Sequence, residues 1–259
     1  MQMRVSRIVA LSSTLAAGGC LVLFSGCASL MGRSQAVPPP TLTAKYTAKP
    51  VNVDGALDDE IWQTAPVYHQ SFSRADIADG KIQTEPGQVQ LAWDDQNFYV
   101  GVKFTDSDIV AEGLEDQLHH YKMGDVCELF LKPEGESWYW EMYVTPAGKK
   151  TAFWFPGRGR LGLDSCYVYT CGLRVAAKCD GTLNNWQDRD NCWTAEMAMP
   201  IKDLTARGEK FGPGVKWRIL VARYNYSRYL SWPELSMAPQ TSKTNYHLLE
   251  DYGYLELVK

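Results

Sequence analysis

The chain has 259 residues, with 26 lysines and arginines against 30 acids, four histidines and a formal net charge of −4. That balance excludes the clustered basic face of a nucleic-acid-binding protein and is otherwise that of an ordinary globular chain. Aromatic residues make up 12%, with nine Trp and fourteen Tyr, more than a core of this size requires, which leaves rings available for recognition.

Residues 1–26 read as an export signal. Arg4 and Arg7 stand without acids before an apolar or small run from Ile8 to Phe24. The stretch LFSGCAS, Leu23 to Ser29, resembles a bacterial lipobox, in which Cys27 would take the diacylglycerol and become the mature N-terminus. Cleavage before Cys20 in AAGGC is a competing register, and an uncleaved anchor is a third reading, because the run approaches the roughly 20 residues that span a bilayer. All three place the rest of the chain outside the cytoplasm. No acidic residue follows Cys27, and by resemblance to other bacterial lipoproteins this favours the outer membrane, on its periplasmic face or at the cell surface. Residues 27–42 then form the lipidated N-terminus and a linker that Pro38, Pro39 and Pro40 hold extended.

Residues 43–259 read as one β domain. Val51 to Gly55 suggests a short strand into a turn, and Leu57 to Ala65 a brief helix with Asp58 as N-cap and Trp62 in the core. Alternation at Val89, Leu91 and Trp93, a turn at Asp94 to Asn97, and alternation from Phe98 to Phe104 predict a hairpin. Val126 to Lys132 and Trp138 to Thr145 form a second strand pair around Pro133-Glu134-Gly135, continued by Thr151 to Phe155. Further strands are expected at Tyr167 to Thr170, Leu173 to Ala177 and Trp193 to Met199, with a short turn or helix at Ile201 to Leu204. No segment keeps a long helical period. The expected fold class is all-β: an antiparallel, jelly-roll-like β-sandwich with one or two short helices.

The stretch from Trp217 to Leu257 carries the densest recognition chemistry. It opens as a strand with Trp217, Ile219 and Val221 inward, then interleaves Tyr226, Tyr229, Trp232 and Tyr246 with Arg223, Asn225, Arg228, Asn245 and His247. Burying every one of these polar heads without partners would cost several kcal/mol, on the order of 2–7 each. Flat rings beside Arg, Asn and carboxylate groups suit the apolar faces and hydroxyls of a sugar.

The order VDGALDDEIW (Val53–Trp62), VQLAWDDQNFYVGVKFTD (Val89–Asp106), GDVCELFLKP (Gly124–Pro133), WTAEMAMP (Trp193–Pro200) and YGYLEL (Tyr252–Leu257) resembles the family 9 carbohydrate-binding modules across residues 45–259. The resemblance implies a β-sandwich that binds a sugar end between two aromatics without cleaving it, as an accessory to polysaccharide capture or breakdown. The two rings map to Tyr246 and, with a one-residue ambiguity toward Lys122, to Tyr121. Asp125, Glu128, Glu141, Arg223, Asn225, Arg228, Trp232 and His247 complete the candidate site. In strand register Cys127, Leu129 and Leu131 share one face, as do Trp140, Met142 and Val144, so Glu128 and Glu141 share the opposite one. There they would accept sugar hydroxyls or pair with Arg223 and Arg228.

The same two glutamates admit hydrolysis, since glycosidases use paired carboxyls about 5–10 Å apart. Two further alternatives are a haem-binding redox module, a role found in the wider superfamily, and a degenerate sandwich with a structural or protein-binding role. No G-x-S-x-G, H-E-x-x-H, phosphate-binding glycine loop or C-x-x-C-H is present. Beyond Cys27 the odd set Cys127, Cys166, Cys171, Cys179 and Cys192 suggests disulfides Cys166–Cys171 and Cys179–Cys192 with Cys127 a buried thiol, other connectivities remaining open. Their spacings match no zinc site. The resemblance also implies a structural Ca²⁺, for which Asp94, Asp95, Asp106 and Asp108 in turns are the candidates. The expected partners are an oligo- or polysaccharide and, through the lipid, a membrane. The oligomeric state is left open.

Overall fold

The computed structural model describes residues 39–160, 162, 166 and 170–259. The signal, the lipobox, most of the linker and, apart from Thr170, the expected strand at 167–170 lie outside the described residues. Among those described, the strands are β1 Thr41–Tyr46, β2 Val67–His69, β3 Gly87–Trp93, β4 Asn97–Thr105, β5 Val126–Pro133 and β6 Tyr139–Val144. They continue as β7 Lys150–Phe155, β8 Arg174–Asp180, β9 Cys192–Pro200, β10 Trp217–Asn225, β11 Glu234–Ala238 and β12 Gly253–Val258. Short helices α1 Arg74–Ala78 and α2 Ile201–Leu204 accompany these strands, in the all-β class that the sequence predicts.

The hydrogen-bonded path runs β7-β6-β5-β10-β12-β1-β3-β4-β9-β8, with β11 on β10 and β2 on β3. Because β6 packs against β8 and β9, the path folds back on itself into two facing layers. Pairing is antiparallel except at the seam. There β1 lies parallel to both β12 and β3 and joins the layers into one mixed sheet.

Alternation along the strands fills the space between the layers. Leu129 and Leu131 of β5, Trp140 and Met142 of β6, and Trp217 and Ile219 of β10 meet Val100 and Val102 of β4 and Trp193 and Met197 of β9. Burying each such large apolar side chain contributes ~1.5–3 kcal/mol. The indoles place their N–H groups as well as their rings: Trp193 Nε1 donates to Asp106 Oδ2 at 3.1 Å, and Trp217 Nε1 donates to the Lys210 carbonyl at 2.9 Å.

Two of the sequence motifs act as fasteners. The carboxylate of Glu196, on β9, accepts from the backbone N–H groups of Asp54 and Gly55 and from Trp62 Nε1 at 2.9, 2.8 and 2.7 Å. Gly55 has φ +83°, and a Cβ there would lie 2.7 Å from the Ala177 backbone, so only glycine fits. These contacts hold Val51 to Gly55 in an irregular path rather than the expected strand. The expected Leu57–Ala65 helix contracts to a 3-10 turn over Glu60–Gln63. Its cap is Asp59 rather than Asp58, and the Asp59 side chain instead accepts from Asn52 N at 3.1 Å.

Candidate functional site

The outward face of β5, β6, β7 and β10 carries a second cluster that includes Phe130, Tyr139, Tyr143, Phe153 and Phe155, with Tyr224 packed against it. Over it lies a cleft of ≈ 770 Å³ whose lining includes Glu128, Glu141, Tyr143, Tyr224, Tyr246 and His247. Strand register sets the floor. Glu128 stands opposite Tyr143 and Glu141 opposite Phe130, which makes the two glutamates diagonal neighbours on one face. Tyr143 donates its hydroxyl to Glu141 Oε1 and also hydrogen-bonds Glu128.

Two pinned loops form the walls. His120 is buried, with Nδ1 2.8 Å from Thr151 Oγ1 and Nε2 3.0 Å from the Glu115 carbonyl, and it fixes the flanking His119 and Tyr121 over the cleft. His119 stacks on Phe153 at 6.0 Å, and Phe153 on Phe155 at 5.6 Å. On the other side Tyr246 donates its hydroxyl to the Arg223 and Ser236 carbonyls at 2.9 and 3.3 Å, and Tyr252 donates to the Tyr246 carbonyl at 2.6 Å. Thr244 of the same loop bonds the Ser73 cap and Asp76 of α1. Tyr224 links the walls, 5.7 Å from Tyr121 and 5.4 Å from Tyr246 between ring centroids.

The electrostatics follow from burial. Desolvation, with the neighbouring charge of Glu141, pushes the Glu128 carboxyl well above the usual range, and desolvation raises Glu141 to about 7. Burial also lowers His247 to about 4, leaving it neutral. Its Nδ1 lies 2.8 Å from the Tyr139 hydroxyl, while Nε2 faces Glu141 Oε2 across 3.7 Å, too long for a direct hydrogen bond. Glu141 Oε2 is buried with no hydrogen-bond partner. A buried acceptor of this kind is costly until a donor reaches it.

Five of the sequence-predicted site residues thus meet in the cleft: Tyr121, Glu128, Glu141, Tyr246 and His247. Asp125, Arg223 and Asn225 do not. All three are wholly buried, in a network away from the cleft. Arg223 continues the inward face of Trp217, Ile219 and Val221, pairs with Asp106 at 3.0 Å, and bonds the Thr105 and Glu85 carbonyls at 2.9 and 3.2 Å. Burial, opposed by Arg223, holds Asp106 at about 6. The expected pairing of Glu128 with Arg223 is therefore absent, the two lying on opposite faces of the layer. Asn225 donates to Glu85 Oε2 at 2.6 Å, and Asp125 accepts from the backbone N–H groups of Val110 and Tyr226, each at 2.7 Å.

Arg228 and Trp232 lie elsewhere on the surface. The Arg228 guanidinium covers Trp186 and Tyr229 at 5.4 and 4.9 Å, while the half-exposed Trp232 lines a separate hollow of ≈ 370 Å³. Asn245, noted in the recognition stretch, also lines the cleft, as do His119, Tyr143, Phe153, Phe155, Tyr224 and Thr244, which the sequence-based site lacked. Tyr143 and Tyr224 carried the signal, each sharing an alternation face with a residue that was chosen or with the opposite of the core set.

The expected disulfides do not form, and Cys127, Cys166, Cys171, Cys179 and Cys192 are free thiols. Cys179 stands opposite Trp193 and Cys192 opposite Asp180, so the two side chains leave opposite faces of the β8–β9 pair. Cys166 packs in the cleft cluster and Cys171 against the inter-layer core. Burial pushes the Cys127 thiol far up. The calcium candidates are committed elsewhere: Asp106 to Arg223 and Trp193, Asp108 to Arg228 N at 2.8 Å, Asp94 to the Tyr99 hydroxyl at 2.6 Å, and Asp95 to the Tyr46 hydroxyl at 3.2 Å. Among the described residues no three His, Cys, Asp or Glu side chains are arranged to hold a metal ion.

A two-layer β-sandwich with one aromatic, carboxylate-floored cleft on an outer face is the architecture of a binding module. The chain belongs to the carbohydrate family 9 binding domain-like family, whose profile matches residues 53–216. Solved structures share the fold. A Bacteroides uniformis protein to which carbohydrate binding has been ascribed superposes with a TM-score of 0.62 at 12% identity, over 85% of this chain and 100% of that one. A family 9 carbohydrate-binding module from Caldicellulosiruptor kristjanssonii, solved with cellotriose, gives 0.55 at 15% identity over 84% and 93%; the module solved with glucose gives 0.56 at 14% over 84% and 95%. No curated protein matches the chain.

Proposed function

We propose that the cleft binds a sugar or the end of an oligosaccharide without cleaving it, in an exported lipoprotein that serves polysaccharide capture or breakdown. The observation that carries the reading is the buried, unpartnered Glu141 Oε2 on the floor of an aromatic-walled cleft. A pyranose would lay its C–H faces against Tyr121, Tyr224 and Tyr246 and donate hydroxyls to Glu128 and Glu141, satisfying the orphan acceptor. The glucose and cellotriose complexes of the Caldicellulosiruptor kristjanssonii module support the ligand class. Stacking plus a few hydrogen bonds corresponds to millimolar to micromolar affinity, roughly −4 to −8 kcal/mol.

The match to the carbohydrate family 9 binding domain-like profile favours binding over hydrolysis for the glutamate pair. Calorimetric titration of the full chain with glucose and cellotriose tests the binding reading, and absence of heat with every sugar tried would overturn it. Cys27→Ala, which removes the proposed lipid attachment, should move the protein from the membrane to the soluble fraction; Cys20→Ala should not.

A further inference from the structure

We propose that the cleft selects a cationic sugar, one bearing a free amine, over its neutral counterpart. The proposal rests on the carbohydrate reading and specifies the ligand's charge. Two buried carboxyls share the floor, 2% and 4% exposed, and among the described residues no lysine or arginine lines the cleft with them. Two cations beside the cleft have other partners: Lys122 sits over the Tyr121 ring at 5.4 Å, and Arg158 pairs with Glu250 at 2.6 Å and donates to the His247 carbonyl at 3.5 Å. Tyr143 of β6, Tyr224 of β10, and Tyr246 and His247 of the loop before β12 face the glutamates, and His119 of the loop before β5 lines the other wall, each held neutral at pH 7 by burial.

A neutral sugar supplies hydroxyl donors but no charge, so the pair must keep a proton to avoid two adjacent anions in a desolvated site. An ammonium group changes that balance. Its three donors can reach Glu141 Oε2 and Glu128, and its charge sits against the faces of Tyr143, Tyr224 and Tyr246, which attract cations through their quadrupoles. The retained proton then leaves to solvent, and no covalent bond forms or breaks. Binding of an amine is thus coupled to proton release, whereas binding of a neutral sugar is not. The aromatic wall also distinguishes this floor from a merely acidic surface patch, because it excludes the water that would otherwise screen the pair.

The test is calorimetry on the full chain with three probes, D-glucosamine, N-acetyl-D-glucosamine and D-glucose, each in two buffers of different ionisation enthalpy. The expected result is glucosamine tighter than glucose by about tenfold or more, equivalent to ~1.4 kcal/mol. Glucosamine heats should change between buffers, and those for glucose and the N-acetyl sugar should not. Glu141→Gln, which keeps an acceptor and removes the charge, should weaken glucosamine several-fold more than it weakens glucose, with Glu128→Gln as the second variant if the first does not fold. Equal affinity for glucosamine and glucose, or buffer-independent heats for both, overturns the charge preference and leaves the carbohydrate reading standing. Absence of binding by all three sugars overturns both.

Discussion

Arg223 and Asp106 meet at 3.0 Å with neither side chain exposing any surface. The sequence sets Arg223 among recognition residues, but its place in β10 puts it two positions beyond Val221 and therefore on the inward face. Its guanidinium lies over the Phe104 ring at 4.8 Å and holds the backbone where β3 and β4 begin and end. Removing one partner of such a pair strands a buried charge. Arg223→Met should cost about 3–5 kcal/mol in urea unfolding. A cost under about 1 kcal/mol would show that the pair is not structural.

Tyr121 and Tyr246 both line the cleft but are held differently, and their variants should separate binding from stability. Tyr246→Phe keeps the ring and loses the hydrogen bonds to the Arg223 and Ser236 carbonyls, so it should lower stability by about 1–2 kcal/mol and leave sugar affinity within a few-fold. Tyr121→Ala removes a half-buried ring that is positioned through the backbone by His120. It should weaken sugar binding about tenfold with little change in the thermal midpoint. The reverse pattern would exchange the roles assigned to the two rings.

The floor makes stability depend on pH. Burial keeps Glu141 protonated to about 7 in the folded chain, against 4.5 ordinarily, so between those values the folded state holds a proton that the unfolded chain has released. Stability from this group therefore falls as pH rises through that window, and Glu128 adds the same sign. His247 acts oppositely: held neutral down to about 4, it costs stability as pH falls below 6.5. Comparing Glu141→Gln with wild type isolates the glutamate. The variant should gain up to a few kcal/mol relative to wild type as pH rises from about 4.5 to about 7 in urea titrations, and no more above that. Parallel pH profiles for the two proteins would mean that Glu141 titrates normally.

The cysteines give a chemical check. Peptide mapping after alkylation without reductant should find Cys127, Cys166, Cys171, Cys179 and Cys192 all alkylated once the protein is denatured. In the native protein Cys127, fully buried, should be the most protected. A recovered Cys179–Cys192 peptide pair would require β8 and β9 to slip by one residue.

Much of the fold was legible because alternation reports burial directly. Leu129 and Leu131, Trp140 and Met142, and Trp217 and Ile219 all lie inward as their spacing requires, and the same rule placed Glu128 and Glu141 together outside. Applied to the end of β10, that rule also sends Arg223 and Asn225 inward and Tyr224 outward. Their polarity concealed it, because a buried guanidinium needs partners that only the folded chain brings near. Asp106 is more than a hundred residues away in sequence. The short elements β1, β2, β11 and α1 were missed for a different reason. Their backbone partners are set by tertiary pairing, although Ser73 three residues before Asp76 gave a local cap signal for α1. The family motifs themselves mostly secure the fold. Glu196 ties Asp54, Gly55 and Trp62, and Gly124 admits the Val110 carbonyl where a Cβ would lie 2.3 Å from it.

The parallel seam at β1 has a kinetic consequence. Thr41 pairs with Tyr254, more than two hundred residues later, and the same strand reaches back to Ala92 and Trp93 of β3. Hairpins such as β3–β4 and β5–β6 close over a few residues and can form early. The union of the two layers must wait until the first strand and the last find each other. A search over so long a loop places completion of the sandwich on the order of milliseconds to seconds. During that interval the β12-facing edge of β10 and the β1-facing edge of β3 stand open, and they are the edges at which two unfinished copies would join.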